Sequence, residues 1–229
     1  MSLVLHLSDT HFGTERSEVS EALLRLALEV RPDVAILSGD ITQRARREQF
    51  AAARRFLETL AAPVKLVIPG NHDIPLFNLA ARLFNPYGNY RRAFGYELEP
   101  QFSSKDLLVI GVNTIFVLRD CDNANLLHGH THAIKAWATA GADLVLSGHI
   151  HMAYVRNLTE QLHDLTRPLW TASAGTAISK RVRDGEPNSV NLIRYDPAEF
   201  PYLCKVDQLD FDATSSRFII AKTTLMELS

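Results

Sequence analysis

The sequence predicts an α/β fold whose main sheet presents polar residues along one rim. Three observations carry this expectation. The first third of the chain alternates strand-like and helix-like apolar patterns, as repeated β-α-β units do. Four short polar motifs each follow directly on an apolar run, so their side chains are delivered at strand ends. The second half breaks into short strand-like runs separated by Gly, Pro, Asp and Asn, which favours a second, more antiparallel sheet packed on the first.

In chain order, residues 3–7 form a short buried-strand run. Val19, Ala22, Leu23, Leu26, Ala27 and Val30 then keep the i, i+3, i+4 spacing of one helical face. Arg31-Pro32-Asp33 stops that helix, because proline disfavours helical geometry in the residue before it. Residues 34–37 give a second strand, and Phe50, Ala53, Leu57 and Leu60 a second helical stripe. Ala61-Ala62-Pro63 breaks it before a third strand over residues 64–68. Short connections between such units imply a parallel sheet with helices on its faces. Further on, residues 107–112, 144–146, 169–173, 190–195, 206–211 and 218–221 read as strands of the second sheet, with a single helix over about 132–140. The stretches 85–90 and 184–188 are turn-rich and could border a substrate pocket. No repeat or low-complexity linker divides the chain, so residues 1–229 are expected to form a single domain.

Composition narrows the function classes. A chain of 229 residues with 46% apolar and 22% charged residues can build one large core. A formal charge of −2 lacks the basic excess of a dedicated nucleic-acid or anionic-membrane binder, which disfavours both partners. Cys121 and Cys204 lie far apart outside any C-x-x-C pattern, arguing against a disulfide scaffold and against thiolate zinc ligation. No apolar stretch reaches the ~18 residues that a membrane span needs, and no basic leader precedes residues 3–7. A soluble protein of the reducing cytoplasm is the expectation.

The motifs carry the chemistry. In Asp9-Thr10-His11 a locally extended backbone would point carboxylate and imidazole the same way, although the tripeptide alone also reads as a helix-capping Asp beside a surface His. Gly39-Asp40 is equally an ordinary turn. Gly70-Asn71-His72-Asp73 adds a neutral oxygen donor and a proton-transfer imidazole that a carboxylate such as Asp73 could hold. Gly148-His149-Ile150-His151 places two imidazoles on one side of an extended segment, close enough for two adjacent ions. Together they supply the parts of a two-metal phosphoester-cleaving centre. Blander readings fit the rest: His6 as a packed strand histidine, Arg44, Arg46 and Arg47 as a solvated helix start, Trp137 and Trp170 as packing residues.

This ordered series resembles the calcineurin-like metallophosphoesterase superfamily. The tract Ser173-Ala174-Gly175-Thr176-Ala177, with Arg181, Arg183 and residues 187–191, further resembles its bacterial class III cyclic-nucleotide phosphodiesterases. The resemblance implies a two-sheet α/β/β/α sandwich and two divalent ions of manganese, iron or zinc. Asp9, His11 and His151 would hold the first ion, Asp40 would bridge, and Asn71 and His149 would hold the second. His72 would be the general acid that protonates the leaving alkoxide of a small phosphoester or nucleotide. One departure stands out. After residues 107–114 the family has a helix, a core strand and a His-rich turn that supplies another ligand, whereas only about thirty-five residues precede Gly148 here, as though one helix-strand unit were missing after about Asp122. His128, His130 and His132 are candidate substitutes. The alternative reading is a degenerate pseudoenzyme or interaction module with an incomplete second metal site. The C-terminal strands, about 204–222, could pair across a homo-oligomer interface, since an exposed strand edge templates association.

Overall fold

The structure, a computed structural model, describes residues 1–115, 130–198 and 202–228. Strands β1 (Ser2–Leu7), β2 (Val34–Ser38) and β3 (Val64–Ile68) are parallel neighbours, linked by helices α1 (Ser17–Val30) and α2 (Arg47–Thr59). Helix α1 buries Val19, Ala22, Leu23, Leu26 and Ala27, the stripe that the spacing predicts, and α2 buries Phe50, Ala53, Phe56 and Leu57. Arg31, ahead of Pro32, leaves the helix at φ 49 in the left-handed region.

Beyond β3 come α3 (Leu79–Phe84), α4 (Gly88–Phe94), a hairpin of β4 (Gln101–Ser103) and β5 (Leu108–Ile110), then α5 (His130–Thr139). Strands β6 (Leu144–Ser147), β7 (Tyr154–Asn157) and β8 (Trp170–Ser173) make a second sheet of order β6-β8-β7. The chain then returns to the first sheet through β9 (Ser189–Tyr195), β10 (Leu203–Asp212) and β11 (Arg217–Glu227). Strand β9 pairs antiparallel with β1, giving the order β11-β10-β9-β1-β2-β3.

That return corrects the sequence expectation, which assigned residues 190–195, 206–211 and 218–221 to the second sheet. The central strands β9, β1 and β2 of the main sheet are buried on both faces. Leu3, Leu5 and Leu7 of β1 face the helix-side core with Val190 and Leu192, while Val4 faces the inter-sheet core with Ile193, Leu144, Leu146 and Trp170. An apolar run on such a strand records burial but not which sheet it joins. On the far side of the second sheet, Ala138 and Ile134 of α5 pack with Leu158, Leu169 and Val145. The layers are therefore helices, sheet, sheet, helix.

A second correction concerns residues 85–90, read from composition as surface turns. Gly88 opens α4, and Tyr90 is buried with its hydroxyl donating to the Val67 carbonyl at 2.7 Å. Burying an aromatic ring with its hydroxyl satisfied outweighs the turn preference of its neighbours. The expected loss of a helix-strand unit after about Asp122, and His128 with it, lies outside the described residues. No described helix is long and apolar enough to cross a membrane.

Candidate metal centre

The rim of the two sheets is assembled by loops that lock together. After β1 and β2 the chain runs side by side, with Asp9 N donating to Gly39 O at 3.2 Å, His11 N to Asp40 O at 3.0 Å and Phe12 N to Ile41 O at 2.8 Å. Five predicted ligands occupy left-handed backbone, at φ 53 for Asp9, 41 for His11, 46 for Asp40, 76 for His149 and 57 for His151. The expectation of locally extended segments at Asp9–His11 and His149–His151 is thus corrected. Each chain must turn at once on leaving its strand, and the left-handed turn swings the side chains into a shared hollow. Such conformations cost about 1–3 kcal/mol each and persist only where the surroundings over-determine them.

Two glycines permit this approach. A Cβ on Gly70 would collide with the backbone nitrogen and carboxylate of Asp40, and one on Gly148 with Ser8 Oγ and Asp9 Oδ2. Asp73, which sequence reasoning offered as the carboxylate holding His72, does something else. It is buried and accepts from Ile41 N (3.0 Å), Thr42 N (2.8 Å), Thr42 Oγ1 (2.8 Å) and Gly70 N (2.8 Å), tying the β2 and β3 loops together. Burial, then the Asp40 carboxylate, push its pKa up to about 7 against the pull of those bonds. His72 instead donates from Nδ1 to the Gln43 carbonyl at 3.1 Å.

The predicted first-ion ligands converge. One ligand atom each from Asp9, His11 and His151 lies within 4.8 Å of the others, and so do atoms of His11, Asp40 and His72. Asp9 Oδ1 stands 3.7 Å from His11 Nε2 and 3.5 Å from His151 Nε2, and Asp40 Oδ2 stands 3.8 Å from His149 Nδ1. Two donors each ~2.1 Å from one cation at tetrahedral angles are separated by roughly 3.4 Å, so these spacings suit a shared ion. Asp9 Oδ1 and both ring nitrogens of His11 are buried without a hydrogen-bond partner. Buried polar atoms are paired as a rule, and three unpartnered polar atoms gathered in one hollow fit a cation.

The charges agree with that fit. Burial, then the Asp40 charge, push Asp9 up to about 7. Burial likewise works to raise Asp40, but the nearby side chains of His149, His72 and His11 hold it down at about 2. Burial pulls His11 down to about 3, which keeps its imidazole a neutral electron-pair donor. His151 Nδ1 donates to the Arg181 carbonyl at 2.6 Å beside Thr176 Oγ1, so its Nε2 points at Asp9. That is the arrangement by which an outer partner fixes a ligand imidazole.

The residues predicted for a second ion are more loosely gathered. His149 donates its backbone N–H to Asp9 Oδ2 at 2.8 Å, and its side chain is 43% exposed. Asn71 opens a short 3-10 turn, Asn71–Asp73, between Gly70, packed on Asp40, and His72, whose N–H donates to Asp40 Oδ1 at 3.0 Å. Among the described residues neither His130 nor His132, on the first turn of α5, joins a ligand cluster. Sequence reasoning missed the outer partners Gln43, Thr176 and Asp73 as such. Only the tract around Thr176 and Arg181 carried a signal, through the resemblance.

Comparison with known proteins places this geometry. The family model for calcineurin-like phosphoesterases matches residues 2–153. Glycerophosphodiester phosphodiesterase GpdQ from Enterobacter lignolyticus is 37% identical over a stretch covering 31% of this chain and 29% of that protein, so the match spans less than a third of the relative. In fold, the chain is similar to vacuolar protein sorting 29 from Cryptosporidium parvum, with a TM-score of 0.59 at 14% identity over 99% of this chain and 98% of that one. A purple acid phosphatase from yellow lupin gives a TM-score of 0.61 at 9% identity, covering 99% of this chain and 53% of that one. With the motifs, the sandwich and the family match in agreement, the chain belongs to the calcineurin-like phosphoesterases.

Proposed function

We propose that the chain is a metal-dependent phosphodiesterase acting on a small phosphodiester, with a 3′,5′-cyclic nucleotide as the first substrate to try. The observation that carries this reading is the convergence of buried, partnerless donors, Asp9 Oδ1 and both nitrogens of His11, with His151 and Asp40. In it Asp9, His11 and His151 hold one ion, Asp40 bridges, and Asn71 and His149 hold the second. A mixed oxygen and nitrogen set without thiolate suits manganese, iron or zinc. Two such cations, when bound, supply charge to the phosphoryl oxygens and a water of lowered pKa. His72, held through Nδ1 by the Gln43 carbonyl, keeps Nε2 to pass a proton to the leaving oxygen. The diester preference is supported by the GpdQ similarity. A reducing, cytoplasmic setting suits Cys204, a buried free thiol.

A second reading, a non-catalytic module, is favoured by one observation: His149 is 43% exposed, and the described residues give the second ion only Asp40, Asn71 and His149 among the predicted ligands. Metal analysis together with hydrolysis of bis(p-nitrophenyl) phosphate separates the two. Two ions per chain with turnover support the enzyme; one ion or none, without turnover, supports the module.

A further inference from the structure

The loop between β8 and β9 is fastened more firmly than a connecting loop needs. Asn188, almost fully buried, donates to the carbonyls of Thr176 (3.1 Å) and Ser179 (2.8 Å) and accepts from Arg16 at 3.2 Å. Arg16 N donates to Ile178 O at 2.8 Å and Lys180 N to Thr14 O at 2.9 Å, so the loop is stitched to the segment after β1. What this fixes is Arg181. Its carbonyl receives His151, and its guanidinium reaches back across the centre, with one terminal nitrogen 3.2 Å from Gln43 Oε1 and 3.3 Å from His72 Nε2.

Several other arginines meet carboxylates, Arg16 with Glu18, Arg54 with Glu58, Arg167 with Asp143 and Arg217 with Glu29, and others lie over aromatic rings, Arg44 over Phe77, Arg91 over Tyr87 and Arg156 over Tyr154. Among the described residues no carboxylate lies within 4.0 Å of Arg181 or Arg183. Both line an open pocket of about 370 Å³ with Ile150, His151 and Val182. A cation held at the mouth of the centre without a counter-ion is arranged for an anion from solution.

We propose that Arg181 is a phosphate-binding residue, whose guanidinium takes the non-bridging oxygens of the substrate's phosphoryl group. Arginine presents its donors as a planar fork that matches phosphate. In the absence of an anion one guanidinium nitrogen lies against the His72 ring, 3.3 Å from Nε2 and 3.4 Å from Nδ1. An entering phosphoryl group draws the guanidinium off the ring, and His72 Nε2, once it has taken a proton from solvent, is free to give it to the leaving oxygen. The same residue thus has two separable parts: a carbonyl that orients His151 and a side chain that binds substrate. The assignment leans on the phosphodiesterase reading only for the identity of that substrate.

Inorganic phosphate is the probe, titrated calorimetrically into manganese-loaded protein, with metal content measured in parallel. Arg181→Ala should weaken phosphate binding ~10–100-fold, the worth of charge-assisted hydrogen bonds, while Arg181→Lys loses less. Metal content should not change, because the carbonyl that holds His151 survives. On bis(p-nitrophenyl) phosphate, KM should rise, with kcat/KM falling alike for substrates with good and poor leaving groups. Equal phosphate affinity in wild type and Arg181→Ala, or no phosphate binding by wild type, overturns the proposal. So does loss of metal in the variant, or a kinetic defect confined to poor leaving groups, which would mean that Arg181 acts through His72. A wild type that binds phosphate through Arg181 but cleaves no ester would sink the phosphodiesterase reading and leave this assignment standing.

Discussion

His72 sits between a carbonyl and a guanidinium, so its ring is aimed before any substrate arrives. If Nε2 delivers a proton to the leaving oxygen, His72→Ala should keep its metals yet lose ~10²–10⁴-fold in turnover on esters with poor leaving groups. The loss should shrink for p-nitrophenyl esters, which depart unaided; comparing kcat for the two substrate types checks this. His6 is a different kind of buried histidine. It is fully buried, its Nε2 meets Ser38 Oγ at 2.8 Å, and burial pulls its pKa from 6.5 down to about 3. Between those two values the unfolded chain binds a proton that the folded chain refuses. Its contribution to stability is therefore complete above pH 6.5 and is lost as pH falls towards 3, by up to ~1.4 kcal/mol per pH unit. Urea midpoints from pH 7 to pH 4 should fall less steeply in His6→Gln than in wild type.

At the scale of elements, the site depends on how the loops after β2 and β3 are joined. Removing the Asp73 side chain strands the N–H groups of Ile41, Thr42 and Gly70, and each buried unpaired donor costs about 1–3 kcal/mol. Asp73→Ala should thus lower unfolding free energy by about 3 kcal/mol or more, read from urea denaturation, and weaken metal binding along with it. Strand β11 bears on the expected pairing of two copies. It is the edge of the main sheet and exposes Ile219, Ile220 and Leu225. Yet it shifts register against β10 between Gln208 and Leu209, leaving Ala221 unpaired, and it carries Lys222 at mid-strand. Bulges and edge lysines are the devices that blunt strand pairing. Lys222→Val should consequently increase concentration-dependent association over wild type, as sedimentation velocity would report.

For the whole molecule, metal and stability should be linked. Donors that are buried without partners in the absence of a cation are satisfied by one, and a ligand that binds only the folded state stabilises it by ~2.7 kcal/mol at a hundred times its Kd. Manganese should raise the melting temperature and a chelator should lower it. Asp40→Asn keeps the shape of the proposed bridging residue but removes its charge, so it should abolish this shift and turnover together while circular dichroism stays native. An undiminished manganese shift in Asp40→Asn would show that Asp40 is not shared between ions.

The chain's own residue order determined much of this. The stripes of α1 and α2 were legible because a helix half-buried on a sheet must repeat its apolar face, and Asp9, His11, Asp40, Asn71, His149 and His151 stood out as candidates because four polar motifs in this order each follow an apolar run. Tertiary structure alone decided where β9, β10 and β11 belong, because neither an apolar run nor an alternating one names the strand it will pair with. It also decided that five of the six proposed ligands stand in left-handed turns, that Asp73 braces two loops instead of holding His72, and that the Arg181 carbonyl sets the His151 tautomer. These depend on partners such as Asp9 and His149, 140 residues apart, and nothing in the local sequence of either names the other.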